Sequence, residues 1–101
     1  MGKIKALSES EIQEHMRKAE FWKRVGAKKE EIQRQWAFPG FKDSISFVNR
    51  VAEAANSADH HPDILIQYNK VTLTMTTHDA GGLSERDFNL AKLCDEFGSS
   101  C

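Results

Sequence analysis

The stretch Ile64-Leu65-Ile66-Gln67-Tyr68-Asn69-Lys70-Val71-Thr72-Leu73-Thr74-Met75-Thr76-Thr77 decides the fold. In its second half Val71, Leu73 and Met75 alternate with Thr72, Thr74 and Thr76, which gives one apolar and one hydroxyl face at the two-residue period of a strand. Residues 64–68 read as the partner strand. Asn69-Lys70 supplies the tight turn between them, a weaker signal than Asn-Gly. Residues 21–25 predict a strand ending at Gly26-Ala27-Lys28-Lys29. The following strand sets Ile32, Arg34, Trp36 and Phe38 on one side and Gln33, Gln35 and Ala37 on the other. Arg34 interrupts that apolar face and is expected at the sheet margin. Pro39-Gly40 breaks the strand.

Three segments carry the other period. Ser8-Glu9-Ser10-Glu11 has capping-box spacing with Leu7 and Ile12 as a staple, so a helix is expected over 9–19. Over 43–57, Ile45, Val48, Val51, Ala52 and Ala55 recur at helical spacing. The last helix opens at Ser84, with Asp87 at its third position and Leu83 and Phe88 as the staple. Its apolar face comprises Phe88, Ala91 and Cys94 with Leu90, Leu93 and Phe97. Helix, two strands, helix, two strands, helix is the pattern of an α+β protein, a four-stranded antiparallel sheet with three helices packed on one face. A chain of 101 residues fits one domain, 1–101 with short tails, and leaves little room for a second.

Composition narrows the function. With 14 basic and 15 acidic residues the formal net charge is −1, so no direct binding of nucleic acid through phosphates is expected. Lys28-Lys29 is cancelled by Glu30-Glu31. The two cysteines, Cys94 on the last helix and Cys101 ending a Gly-Ser-Ser tail, lack CxxC spacing and suit a reducing compartment. No signal peptide or membrane-spanning stretch is visible, which makes a soluble cytoplasmic protein the expectation.

The chemistry lies with the histidines. His15 falls on the first helix and reads as a surface residue. His60 and His61, in Asp59-His60-His61-Pro62-Asp63, leave the second helix, and Pro62 pushes His61 into an extended conformation so that the two rings point different ways. His78 stands just past the fourth strand. If strands three and four form a hairpin, all three histidines meet at one sheet end, flanked by Asp59, Asp63 and Asp79. Such a cluster can give and take protons near neutral pH, with the aspartates fixing tautomers. The same residues could instead simply cap strand ends. A zinc or iron site is disfavoured because no HxH or HxxxH spacing exists. A serine hydrolase lacks its GxSxG elbow, and Ser84 is explained by capping.

Asp59-His60-His61-Pro62-Asp63, Tyr68-Asn69-Lys70-Val71, Thr77-His78-Asp79 and Gly82-Leu83-Ser84-Glu85-Arg86-Asp87 together resemble the pterin-4a-carbinolamine dehydratases. The similarity extends weakly to Phe41-Lys42-Asp43 and Asn49-Arg50-Val51-Ala52 and covers about four fifths of the chain. It implies dehydration of 4a-hydroxytetrahydrobiopterin to quinonoid dihydropterin, recycling the pterin of aromatic amino acid hydroxylases, with no metal and no cofactor. By the resemblance His60, His61 and His78 are the catalytic set. His60 and His78 act as acid and base, and His61 mainly binds and orients. Asp59, His60, His61, Pro62, Thr76, Thr77, His78, Asp79 and Asp87 are the implied substrate contacts, Asp87 being equally a helix cap.

Two positions depart from the family pattern. Asn56 stands where a glutamate often precedes the first histidine, which is expected to alter the poise of His60, and Ile64 stands where tryptophan is frequent. Family members form homodimers and homotetramers, and some are dimerisation partners of a homeodomain transcription factor. The second helix, with its alanine-rich end and Phe47 outside the main stripe, is the expected association surface. A transcription-factor partner would add the nucleus to the cytoplasmic location.

Overall fold

The computed structural model describes residues 4–99. Helix α1 (Glu9–Lys18) leads to strands β1 (Lys23–Val25) and β2 (Glu31–Ala37). Helix α2 (Phe41–Ala58), strands β3 (Asp63–Gln67) and β4 (Lys70–Met75), a short 3-10 turn (His78–Ala80) and helix α3 (Glu85–Ser99) follow. The strands form one antiparallel sheet in the order β1-β2-β4-β3, so the expected α+β architecture is borne out. Cys101 lies outside the described residues, and Gly98 and Ser99, expected in a tail, continue α3.

Alternation produces this sheet. Val71, Leu73 and Met75 of β4 and Ile32 and Trp36 of β2 are buried together with Phe47, Val51, Leu90, Ala91 and Cys94 of the helices. On the opposite face Gln33 and Gln35 of β2 donate to the hydroxyls of Thr74 and Thr72 of β4 at 3.0 and 3.1 Å, so polar side chains of this central strand pair satisfy each other across the ladder. The β3–β4 turn falls one residue before its expected place, on Tyr68-Asn69, with Tyr68 at φ +55°. The register explains the shift. Lys70 is already in the ladder opposite Ala37, and Asn69 is tied to Phe38 by a backbone bond of 2.8 Å and a side-chain bond of 2.9 Å.

Two other expectations are corrected. The buried stripe of α2 is Ser44, Phe47, Val51 and Ala55: Val51 and Ala55 are buried as expected, while Ser44 and Phe47 take the places of Ile45 and Val48, which are half-buried, and Ala52 is exposed. Both stripes have helical spacing, and the aromatic one is buried. Phe47 lies 4.7 Å from Trp36 and 5.2 Å from Phe38, ring centre to ring centre, while the Ser44 hydroxyl donates to the Gly40 carbonyl, which lets a polar residue lie in the stripe. Phe47 is therefore core and cannot serve as an association surface. On α3, Leu93 is exposed rather than part of the apolar face.

Arg34 sits on the helix side of the sheet, one residue past the point where β1 stops pairing with β2. Its guanidinium lies 4.5 Å from the ring centres of both Phe21 and Trp36 and forms an ion pair with Asp95, which also accepts from the indole of Trp22 at 2.8 Å. The charge that interrupted the pattern is thus sandwiched and paired. Burial pushes the Cys94 thiol up to about 12, so this cysteine stays protonated and unreactive.

At Gly98 an added methyl carbon would lie 2.3 Å from Trp36 Nε1 and 2.7 Å from its Cδ1. A helical Gly→Ala change ordinarily stabilises by about 1 kcal/mol. Here overpacking against a buried indole costs about 1–3 kcal/mol, so Gly98→Ala is expected to lower the urea midpoint. A raised midpoint would contradict the packing.

Candidate active site

Helix α2 ends in a way that fixes His60. Asp59 takes the left-handed conformation (φ +50°, ψ +44°), which aspartate tolerates better than most side chains. Its N–H donates to the Asn56 carbonyl at 3.2 Å and the His60 N–H reaches the Ala55 carbonyl at 3.1 Å. This pair of bonds is a Schellman motif. It reverses the chain and turns the His60 ring inward, where it is 8% exposed. His61 goes the other way and is exposed, its Nε2 3.0 Å from Asn56 Oδ1. The rings of the consecutive histidines are thus held by different partners.

His78 reaches the same place from the other side of the sheet end. Beyond β4, Thr77 and Gly82 exchange backbone bonds of 3.2 and 3.3 Å, pinching His78–Ala80 into a loop that Gly81 closes in the left-handed region. His78 is exposed at the tip of this loop.

The key contact was not among those expected from neighbours in sequence. His60 Nε2 lies 2.6 Å from Asp87 Oδ1, whereas among the described residues Asp59, Asp63 and Asp79 hold none of the histidine rings. Asp87 is fully buried. Its other oxygen accepts from the Thr77 hydroxyl at 2.8 Å and the Ser84 N–H at 2.9 Å. The Ser84 bond is half of the predicted capping arrangement; in the other half Ser84 Oγ accepts from the Arg86 N–H at 3.2 Å. One carboxylate therefore both starts α3 and holds His60.

A cleft of about 260 Å³ opens over these groups, lined by Asp59, His60, His61, Thr76, Thr77, His78 and Asp79 together with Ile4 and Arg86. Of the expected site residues, Asp87 stands behind the cleft against His60 and Pro62 stands outside the lining. The Thr76 hydroxyl is committed to the Glu30 carbonyl at 2.7 Å. Arg86 was quoted in the sequence motif and given no role; a charged residue in a helix's first turn carries no signal of its own. A larger depression of about 590 Å³ at Glu9, Gln13, Met16, Arg17, Arg24 and Lys29 contains no histidine, so chemistry rather than size selects the site. His15 is half-buried rather than a plain surface residue. It stacks on Phe88 at 4.7 Å between ring centres, away from the cleft lining.

Such a site offers proton donors and acceptors around a polar cleft, the equipment of an acid/base catalyst. Comparison with known proteins gives it a family. The model described as Pterin 4 alpha carbinolamine dehydratase matches residues 5–97. A protein of Picosynechococcus sp., provisionally named a pterin-4-alpha-carbinolamine dehydratase, is 49% identical over 90 residues, 89% of this chain and 95% of its own. One of Sulfurisphaera tokodaii with the same provisional name is 43% identical over 93 residues, 92% and 97% of the two chains. Among solved structures, a transcriptional coactivator/pterin dehydratase from Brucella melitensis superposes with a TM-score of 0.87 at 32% identity, covering 92% of this chain and 98% of its own. A pterin dehydratase-like RuBisCO assembly factor of the alpha-carboxysome shares the fold at a TM-score of 0.66 and 20% identity, over 79% and 92% of the chains. The chain belongs to the pterin-4a-carbinolamine dehydratase family.

Asp87→Ala would leave His60 Nε2, the Thr77 hydroxyl and the Ser84 N–H without their acceptor. Buried donors stranded in this way cost about 1–3 kcal/mol each before relaxation, and a destabilisation of about 2–4 kcal/mol is expected in urea unfolding. A change below about 0.5 kcal/mol, the scale of an ordinary surface substitution, would contradict the network.

Proposed function

We propose that this protein dehydrates 4a-hydroxytetrahydrobiopterin to quinonoid dihydropterin by histidine acid/base catalysis, without metal or cofactor, and so returns the pterin spent by aromatic amino acid hydroxylases. Family membership supports the reaction. The observation that carries the mechanism is the 2.6 Å contact of His60 with buried Asp87 beside a cleft that His61 and His78 also line.

The carbon–oxygen bond at C4a breaks as the hydroxyl takes a proton and leaves as water. The ring nitrogen gives up its proton, and a carbon–nitrogen double bond forms. We assign the base to His60. With Nε2 bound to Asp87, Nδ1 is the nitrogen left for the cleft, and the carboxylate faces the positive charge that develops on the ring, the arrangement used when an aspartate backs a catalytic histidine. We assign the acid to His78, whose exposed ring stands on the loop across the cleft. His61, tied to Asn56, orients the pterin. Because the Asn56 amide bonds His61 and not His60, its effect in place of glutamate falls on binding more than on the proton carrier. Asp59, Thr76, Thr77 and Asp79 complete the pterin's surroundings, with Arg86 added to them.

The remaining features belong to the same reading. The chain acts as one domain, 1–101, in the cytoplasm. Self-association as a homodimer or homotetramer is supported by β3, the edge of the sheet, which exposes Ile64 and Leu65. A second reading, a non-catalytic dimerisation partner of a homeodomain transcription factor acting in the nucleus, is favoured by the Brucella relative's description as a transcriptional coactivator. No helix among the described residues is long and apolar enough to cross a membrane.

The test is the rate at which chemically generated carbinolamine loses water. General acid/base catalysis contributes about 10²–10⁴-fold. The protein is expected to accelerate the loss by that order, and the His60→Ala, His78→Ala double variant is expected to approach the buffer rate. Equal rates with and without protein, or full activity in the double variant, would overturn the proposal and leave the binding role.

A further inference from the structure

The mechanism above uses Asp87 but leaves unexplained why two buried hydroxyls crowd its far oxygen. Thr77 is 3% and Ser84 1% exposed. Thr77 Oγ1 lies 2.8 Å from Asp87 Oδ2 and 2.7 Å from Ser84 Oγ. A hydroxyl has one proton to give. A carboxylate can only accept, so the Thr77 proton goes to Asp87; the reverse would set two sets of lone pairs against each other in a buried site. The contact between the hydroxyls then needs Ser84 as donor. Ser84 Oγ in turn accepts from the Arg86 N–H at 3.2 Å. Each step runs one way, from the first turn of α3 through Ser84 and Thr77 to Asp87.

We propose that Thr77 and Ser84 are positioning residues for His60: their hydroxyls form a one-way donor chain that keeps Asp87 an acceptor, so that Asp87 holds a proton on Nε2 and leaves Nδ1 as the acceptor facing the cleft. This deepens the dehydratase reading of the same site. Neither residue touches the reacting atoms through its hydroxyl. Without the chain, Asp87 Oδ2 loses a donor in a buried place, and the carboxyl can take up the proton it shares with Nε2. Nδ1 then takes up a proton from the solvent of the cleft, and the ring presents a mixture of tautomers there. The chain also ties the catalytic ring to the helix start, because Ser84 caps α3 with the same oxygen that donates to Thr77.

The test reads the ring itself. Nitrogen-15 NMR of the full chain distinguishes the two neutral tautomers of His60. The wild type is expected to show the Nε2–H form, Thr77→Val a mixture, and Thr77→Ser, which restores the hydroxyl, the wild-type pattern. The turnover rate of Thr77→Val is expected to fall about tenfold, the scale on which lost outer hydrogen bonds act on a ligating histidine. A His60 signal in Thr77→Val identical to wild type would overturn the proposal. Should that variant fail to fold, the wild type still decides: the Thr77 and Ser84 hydroxyl protons are expected to exchange slowly enough to be observed, and rapid exchange of both would overturn the chain. A wild type that does not accelerate dehydration refutes the function above, yet the tautomer and exchange measurements still decide the chain.

Discussion

A carboxylate without solvent contact must find its donors inside the fold, and Asp87 finds them in three separate parts of the chain. His60 comes from the end of α2, Thr77 from beyond β4, and the Ser84 N–H from the start of its own helix. His60 stands 27 positions from Asp87, Thr77 ten and Ser84 three. Each has a reason of its own for being there: a Schellman turn, a pinched loop and a helix cap. The polar group that would be most costly to bury unpaired is the one at which they meet. The ordering of the site and the closing of the fold at this end are thus one event.

In the proposed mechanism the same arrangement divides labour among the histidines. A buried ring fixed at one nitrogen can present only the other, whereas His61 and His78 are exposed. A catalyst working on a flat, polar substrate benefits from that mixture, with one group held in place and others able to follow the ligand. At position 56 the amide engages the exposed His61 ring and leaves the buried His60 ring to Asp87.

Sheet and helices were legible because side-chain period is a strong signal. Val71, Leu73 and Met75 against their threonines fixed which face of β4 is core, and the capping boxes marked where α1 and α3 begin. Errors arose where two placements satisfy the same period. The stripes through Phe47 and through Val48 differ by one residue, and only the aromatic partners Trp36 and Phe38, distant in sequence, choose between them. The β3–β4 turn moved because the pairing of Lys70 with Ala37 outweighed the local preference of Asn69. Meeting of the three histidines followed from the hairpin, but their true carboxylate partner did not: proximity in sequence suggested Asp59, Asp63 and Asp79, and Asp87 lies 27 positions from His60. Its cap role was readable; its second role required the fold.

The proposed pterin site requires that His60, His61 and His78 meet one ligand. Titrating the protein with biopterin, an oxidised and unreactive pterin, while following the four imidazole resonances tests it most directly. The rings of His60, His61 and His78 are predicted to shift together with a single dissociation constant, while His15, stacked on Phe88 away from the cleft lining, stays unmoved. A shift confined to one ring, or one in which His15 moves with the others, would contradict a site shared by the three.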